Sequence, residues 1–250
     1  MIDIHNHYLP GVDDGADTLE DSLALVRLAV AQGITKVVCT PHYHHGRYDW
    51  DEAAVTSAFA ALQSAVREEA LAIDLARSAE VRFSDEILID LKQGRIPFIG
   101  QWQGRDALLL ELPHGQVPVG VDVFLKWLLK EGIQPIIAHP ERNKGIMRDV
   151  RRAAELAKAG AVFQLTAGSL AGHFGESAQS VAEHLLLQGS VQFVASDAHN
   201  LKRAPAMADA CLAIENVVAD AGKAEALIAA LTLHNPQQLT ARLFGQSSYA

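Results

Sequence analysis

Cysteine is almost missing: Cys39 and Cys211 are the only two in 250 residues, far apart and in no CxxC pair. That argues against a disulfide framework and for a reducing compartment. Aromatic residues make up 6% of the chain, too few for a base-stacking surface. Positive charge is also short: 21 Lys and Arg face 30 Asp and Glu, a formal balance of -9. Such a chain repels phosphate backbones, so nucleic acid is not an expected partner. No apolar run has the length needed to span a bilayer. Met1 leads straight into Ile2-Asp3-Ile4-His5 with no basic-then-apolar leader, so a cytoplasmic protein, not embedded in a membrane, is expected.

What is present is a regular alternation. Short runs rich in Val, Ile and Leu occur at 2–4, 36–40, 73–81, 107–112, 133–138, 161–165 and 191–195. They lack strict polar alternation, as suits strands buried on both faces of a parallel sheet. Between them lie helical segments. Thr18 is placed to cap a helix to about Gln32, and others are expected over 51–70, 84–93, 119–130, 149–158 and 176–187, most with glycine just past the end. Seven strand–helix repeats imply a βα barrel or an open doubly wound sheet in one domain over 1–250. From Asn235 the chain reads as a peripheral tail.

The ends of the runs carry the chemistry. The first closes with His5 and His7, two residues apart and so on one side of an extended segment. The second ends at His42, the third at Glu80, the fourth at Glu111, the fifth at His139, and the last at Asp197 with His199. In α/β sheets and barrels the site lies at the C-terminal ends of strands. One histidine there is usually a hydrogen-bonded loop residue, but six of seven ends are not explained that way. A mixed His and carboxylate set suits Mn, Fe, Mg or Zn better than a thiolate site would.

These residues also resemble a family. His5-Asn6-His7, Val12-Asp13-Asp14-Gly15, Thr40-Pro41-His42, Ala79-Glu80, His139-Pro140-Glu141-Arg142-Asn143, Gly168-Ser169-Leu170-Ala171-Gly172 and Ser196-Asp197-Ala198-His199-Asn200 look like the signatures of the polymerase-and-histidinol-phosphatase (PHP) class. They are most similar to its capsule- and exopolysaccharide-associated protein-tyrosine phosphatases, over 1 to about 243. The resemblance implies a distorted TIM-like (β/α)7 barrel holding three divalent metals, manganese foremost, with Fe, Mg or Zn as alternatives. It implies that His5, His7, Glu80 and Asp197 hold the first ion. Glu80 would bridge to a second, held also by Glu111 and His139, and Asp14, His42 and His199 would hold a third. Arg142 and Arg203 match phosphate-binding arginines, and Asp14 counts with them among the catalytic groups.

The implied reaction is hydrolysis of phosphotyrosine by a metal-activated hydroxide, with no phosphoenzyme. The implied partner is the tyrosine-rich tail of a bacterial autokinase controlling polysaccharide export, and an oligomer is left open. The alternatives are a small-molecule phosphatase acting on a substrate such as histidinol phosphate, and a non-catalytic binder of metal or of a phosphoprotein. The roles of Arg47, His44 and His45 are left open between the rim of the site and ordinary surface; Asp13 is expected behind Asp14, and Gly168 and Ser169 in a loop over the mouth. His114, His173, His184 and His234 are expected to be ordinary surface or packing residues. Ser196 lacks the context of a serine nucleophile.

Overall fold

Alternate residues of the apolar runs go to opposite sides of one wall. Leu108 and Leu110 join the core beneath the surrounding helices, while Ala107 and Leu109 join a second cluster inside the ring of strands. Ile137 and Val194 likewise face the helices, and Ile136, Phe193 and Ala195 face inward. This is why the runs lack polar alternation: both faces are buried. The computed structural model describes residues 1–245.

Among the described residues the ten strands are β1 (Ile2–Asp3), β2 (Lys36–Cys39), β3 (His42–Tyr43), β4 (Asp74–Arg77), β5 (Glu80–Arg82), β6 (Gly100–Trp102), β7 (Arg105–Glu111), β8 (Ile133–Ala138), β9 (Val162–Thr166) and β10 (Val191–Ala195). The second run is split into β2 and β3 at Thr40-Pro41, where proline offers no N–H to a ladder. The third is split into β4 and β5 at Ser78-Ala79. One sheet runs β1-β2-β4 and the other β10-β9-β8-β7-β5-β3, all in parallel, with β6 antiparallel on β7. The first and last runs meet just beyond β1 and β10. There the Asp197 amide donates to the His5 carbonyl at 2.7 Å and the His7 amide to the Ala198 carbonyl at 2.9 Å. The seven runs thus form a distorted (β/α)7 barrel.

The expected helices are present with shifts of a few residues at their ends. Thr18 caps Leu19–Ala31 in a capping box with Asp21, and Asp51 caps Glu52–Glu68. The strand β6 and the helices Met207–Val217 and Ala221–Ala229 were not expected from the sequence. The expected peripheral tail from Asn235 is corrected by the structure. Asn235–Gly245 is a helix, and its buried Leu239 closes the barrel interior against Ile99, Trp102 and Leu109. The helix lies so close to β6 that a Cβ on Gly100 would sit 2.0 Å from the Leu239 carbonyl oxygen. Only glycine fits there. Residues 246–250 of the expected tail lie outside the described residues.

Candidate metal centre

In four of the runs the inward face carries its last side chain into the mouth. Val38 leads in steps of two through Thr40 to His42, Ala76 through Ser78 to Glu80, Leu109 to Glu111, and Ala195 to Asp197. An apolar plug inside the barrel therefore continues upward as a layer of ligand-type groups, and Glu80, Glu111 and Asp197 are buried on it. His139 falls out of step with Ile136 and Ala138. Its backbone turns into the left-handed region, with φ of 32°, which re-aims the imidazole. Asp197 is also left-handed, with φ of 49°. Non-glycine residues adopt this region at a cost, and such strain gathers at functional sites.

Four buried groups meet at the centre. His5 Nε2 lies 3.4 Å from Glu80 Oε1 and 3.5 Å from Asp197 Oδ1. His7 Nε2 lies 3.5 Å from Glu80 Oε2 and 3.5 Å from Asp197 Oδ1. The Nε2 atoms of both histidines and Oε2 of Glu80 are buried with no hydrogen-bond partner. Donors of a four-coordinate ion with bonds of about 2.1 Å stand about 3.4 Å apart, so the spacing and the orphaned atoms fit a divalent cation. A second group is Asp14, His42 and His199, with His7 alongside. His42 Nε2 and His199 Nε2 lie 3.3 and 3.6 Å from Asp14 Oδ1. Glu80 sits between the groups, since His42 Nδ1 is 2.9 Å from Oε2 and His139 Nε2 is 2.8 Å from Oε1. Glu111 groups with His42 and Glu80, whereas His139 groups with His5 and Asp197. All nine expected ligands thus share one mouth, although Glu111 and His139 do not form a compact set.

The local charge is shaped by this crowding. Burial alone would lower the His5 and His7 imidazoles. Glu80 and Asp197 beside His5, and Asp13 beside His7, overcome it and hold both above the ordinary value. Burial likewise opposes a charge on His42, yet Glu80 and the bond to Asp14 raise it to about 10. His199 goes the other way, down to about 3, through burial and then the charge of His7. Burial would raise Glu80, but His5 and His42 keep it well below the carboxylate range. The carboxylates demand nearby positive charge, and protons or divalent cations answer the same demand.

The supporting groups were only partly foreseen. Asp13 does not stand behind Asp14; its Oδ2 lies 2.6 Å from His7 Nδ1 and accepts from the His42 amide at 2.9 Å. The chain can come this close because residue 15 is glycine. A Cβ there would lie 2.1 Å from the His7 carbonyl oxygen. Gln164 on β9, the strand that brings no ligand, was missed; its Oε1 lies 2.7 Å from His5 Nδ1. Such partners fix the imidazole tautomer and ring angle. Asp13→Asn is therefore expected to weaken metal binding about 10- to 100-fold, measured by competition with a chelator. An unchanged affinity would remove Asp13 from this role.

Arg142 and Arg203 both donate to Asp197 Oδ2 and line the same cavity of about 110 Å³. Arg47 and His44 line it as well, and so do three residues not expected there from the sequence. Tyr48 stacks on His42 at 5.2 Å, Arg82 donates to Glu111 at 2.9 Å, and His114 lies 3.5 Å from Glu111. Arg82 was findable, because it follows Glu80 by two residues on one strand. His45 is instead bound to Asp90, away from the mouth. Gly168 and Ser169 form a buried helical turn, Ala167–Leu170, not an open loop. His173, His184 and His234 are exposed. Ser196 donates to Asp3, a buried carboxylate that staples the first run to the last. Among the described residues no helix is long and apolar enough to cross a membrane.

A parallel barrel with this mouth defines the class: a PHP-type protein with a candidate metal centre. The chain belongs to the CpsB/CapC family of capsular polysaccharide synthesis, whose profile matches residues 1–241. It is 37% identical over 202 residues to the tyrosine-protein phosphatase YwqE of Bacillus subtilis (strain 168), covering 81% of this chain and 78% of that one. It is 34% identical over 207 residues to the putative tyrosine-protein phosphatase CapC of Staphylococcus aureus, covering 83% and 80%. A solved structure from work on YwqE of Bacillus subtilis and CpsB of Streptococcus pneumoniae, described as unique metal-dependent tyrosine phosphatases, matches with a TM-score of 0.81. Its identity is 33%, covering 94% of this chain and 96% of that one.

Proposed function

We propose that this protein is a metal-dependent protein-tyrosine phosphatase. The observation that carries the reading is the meeting of two guanidiniums, Arg142 and Arg203, with the cluster of histidines and carboxylates in one cavity. In this reading His5, His7, Glu80 and Asp197 would hold a first ion, Glu80, Glu111 and His139 a second, and Asp14, His42 and His199 a third. Manganese is the first choice, then Fe, Mg or Zn. When bound, such ions offset phosphate charge and supply a water-derived nucleophile at neutral pH. Arg142 and Arg203 bind the equatorial phosphoryl oxygens as planar, permanently charged donors. Asp13 and Gln164 hold His7 and His5 in the ligating tautomer. A tyrosine leaving group has a pKa near about 10 and needs less protonation than an alkyl alcohol. Asp14 is the most exposed of the acidic ligands, and its bond to His42 holds it well below the ordinary carboxylate range, so it serves at the mouth as an anion and not as the donor of that proton.

The substrate is the phosphotyrosine-bearing cytoplasmic tail of a bacterial autokinase serving polysaccharide export. The capsule-synthesis family supports that substrate, and two free cysteines suit a reducing setting. The test is a side-by-side assay of phosphotyrosine peptide and histidinol phosphate after metal reconstitution. A preference for histidinol phosphate would replace this reading with the small-molecule one.

The cysteines play no part in the reaction. Cys39 is buried in β2, and burial followed by the charges of Asp3 and Asp13 pushes its thiol well above the ordinary value. A nucleophilic thiolate needs the opposite shift. Cys211 is also raised, by burial and Glu215. The double change Cys39→Ser with Cys211→Ser is expected to keep most phosphatase turnover. A folded, fully metallated and inactive double variant would contradict the thiol-free mechanism.

A further inference from the structure

Of the seven runs, only the one ending in β9 brings no ligand to the mouth. Beyond β9 the chain makes the helical turn Ala167–Leu170 and then reaches Phe174. The Phe174 ring centroid lies 4.4 Å from the Arg142 guanidinium carbon and 5.5 Å from that of Arg203. These arginines come from different strand ends, yet they share one ring and one carboxylate oxygen, Asp197 Oδ2. Two like charges this close repel, and each long side chain has many rotamers to lose. An aromatic face is attractive to both cations and fixes where they lie.

The ring is itself held in place. A Cβ on Gly168 would sit 3.0 Å from Phe174 Cε2, so the turn packs directly on it. The start of this segment is tied to the turn that carries Arg142, because the Thr166 amide donates to Glu141 Oε1 at 3.0 Å. Arg203 keeps its Nε buried and without a partner.

We propose that Phe174 is a positioning residue that holds Arg142 and Arg203 as one pair set to receive a tetrahedral phosphoryl group. This rests on the phosphatase reading above. The ring lies behind the arginines and acts on the phosphoryl group only through them.

The test compares Phe174→Leu and Phe174→Tyr in the metal-loaded protein. Three quantities are read: kcat/KM on a phosphotyrosine peptide, the affinity for inorganic phosphate by calorimetry, and metal content. The leucine variant is expected to lose about tenfold in both kcat/KM and phosphate affinity, with metal content unchanged. The tyrosine variant is expected to stay within about twofold, because it restores the ring. In an Arg142→Ala, Arg203→Ala background the leucine change is expected to have almost no further effect on phosphate affinity, which a merely structural role would not produce. If the leucine variant does not fold, Phe174→Met takes its place as a ringless side chain of similar size. Wild-type values in the ringless variant, or the same loss without the arginines, would overturn the proposal. If wild-type protein binds phosphate but hydrolyses no phosphotyrosine, the functional reading falls, and the calorimetry still decides Phe174. If wild-type protein binds no phosphate, the proposal falls too.

Discussion

Glu80→Gln is expected to abolish phosphatase turnover, with a loss of at least about 10³-fold, the scale reached when a key electrostatic group leaves a reacting site. Four imidazoles lie within reach of this one carboxylate: His5 at 3.4 Å, His7 at 3.5 Å, His42 at 2.9 Å and His139 at 2.8 Å. The carboxylate is buried, so no water replaces it. An amide keeps the shape but removes the charge and turns one oxygen into a donor facing imidazole nitrogens. Metal content should fall together with activity, because Glu80 joins two of the candidate ion sites. Metal analysis of the folded variant beside its turnover checks this. Full metal content with activity within tenfold of wild type would show that Glu80 is no bridge.

Arg142→Ala is expected to cost about 2–4 kcal/mol of transition-state stabilisation, roughly 30- to 1,000-fold in kcat/KM, while folding and metal content stay near wild type. The guanidinium is largely buried at the mouth and donates to Asp197. Its removal leaves that carboxylate one guanidinium partner, Arg203, beside the His5 and His7 imidazoles. The split between effects therefore matters: a loss of turnover at constant metal content places Arg142 on the phosphoryl group. A loss explained by missing metal would instead make it a support for Asp197. Normal kinetics would remove it from the catalytic assignment.

The barrel and most of the mouth were legible because they rest on local rules. Steps of two along a strand carry Val38 to His42 and Leu109 to Glu111, so a ligand at the end of an inward-facing row is visible in the sequence. The HxH pair also behaves this way, with His5 and His7 facing the same carboxylates. What stayed hidden depends on pairings between distant segments. Asp13 reaches His7 and the His42 amide only because Gly15 lets the chain fold against His7. Gln164 sits inside an apolar run, and nothing local marks it as the partner of His5. His114 is brought to Glu111 by the turn after β7, a contact with no periodic signal. The segment from Asn235 is polar and rich in glutamine, so it reads as surface. Its Leu239 is buried in the barrel interior with Ile99, Trp102 and Leu109, a contact between distant segments.

Phosphotyrosine hydrolysis by this chain is expected to depend on divalent metal held at the barrel mouth. The direct measurement is turnover of a phosphotyrosine peptide by wild-type protein, first stripped by a chelator and then titrated with Mn²⁺, with bound metal counted at each step. The expected result is no turnover in the stripped, folded protein and full recovery as the bound count rises towards three per chain. Undiminished turnover by stripped protein, or recovery complete with fewer than two ions bound, would contradict the metal-centred mechanism.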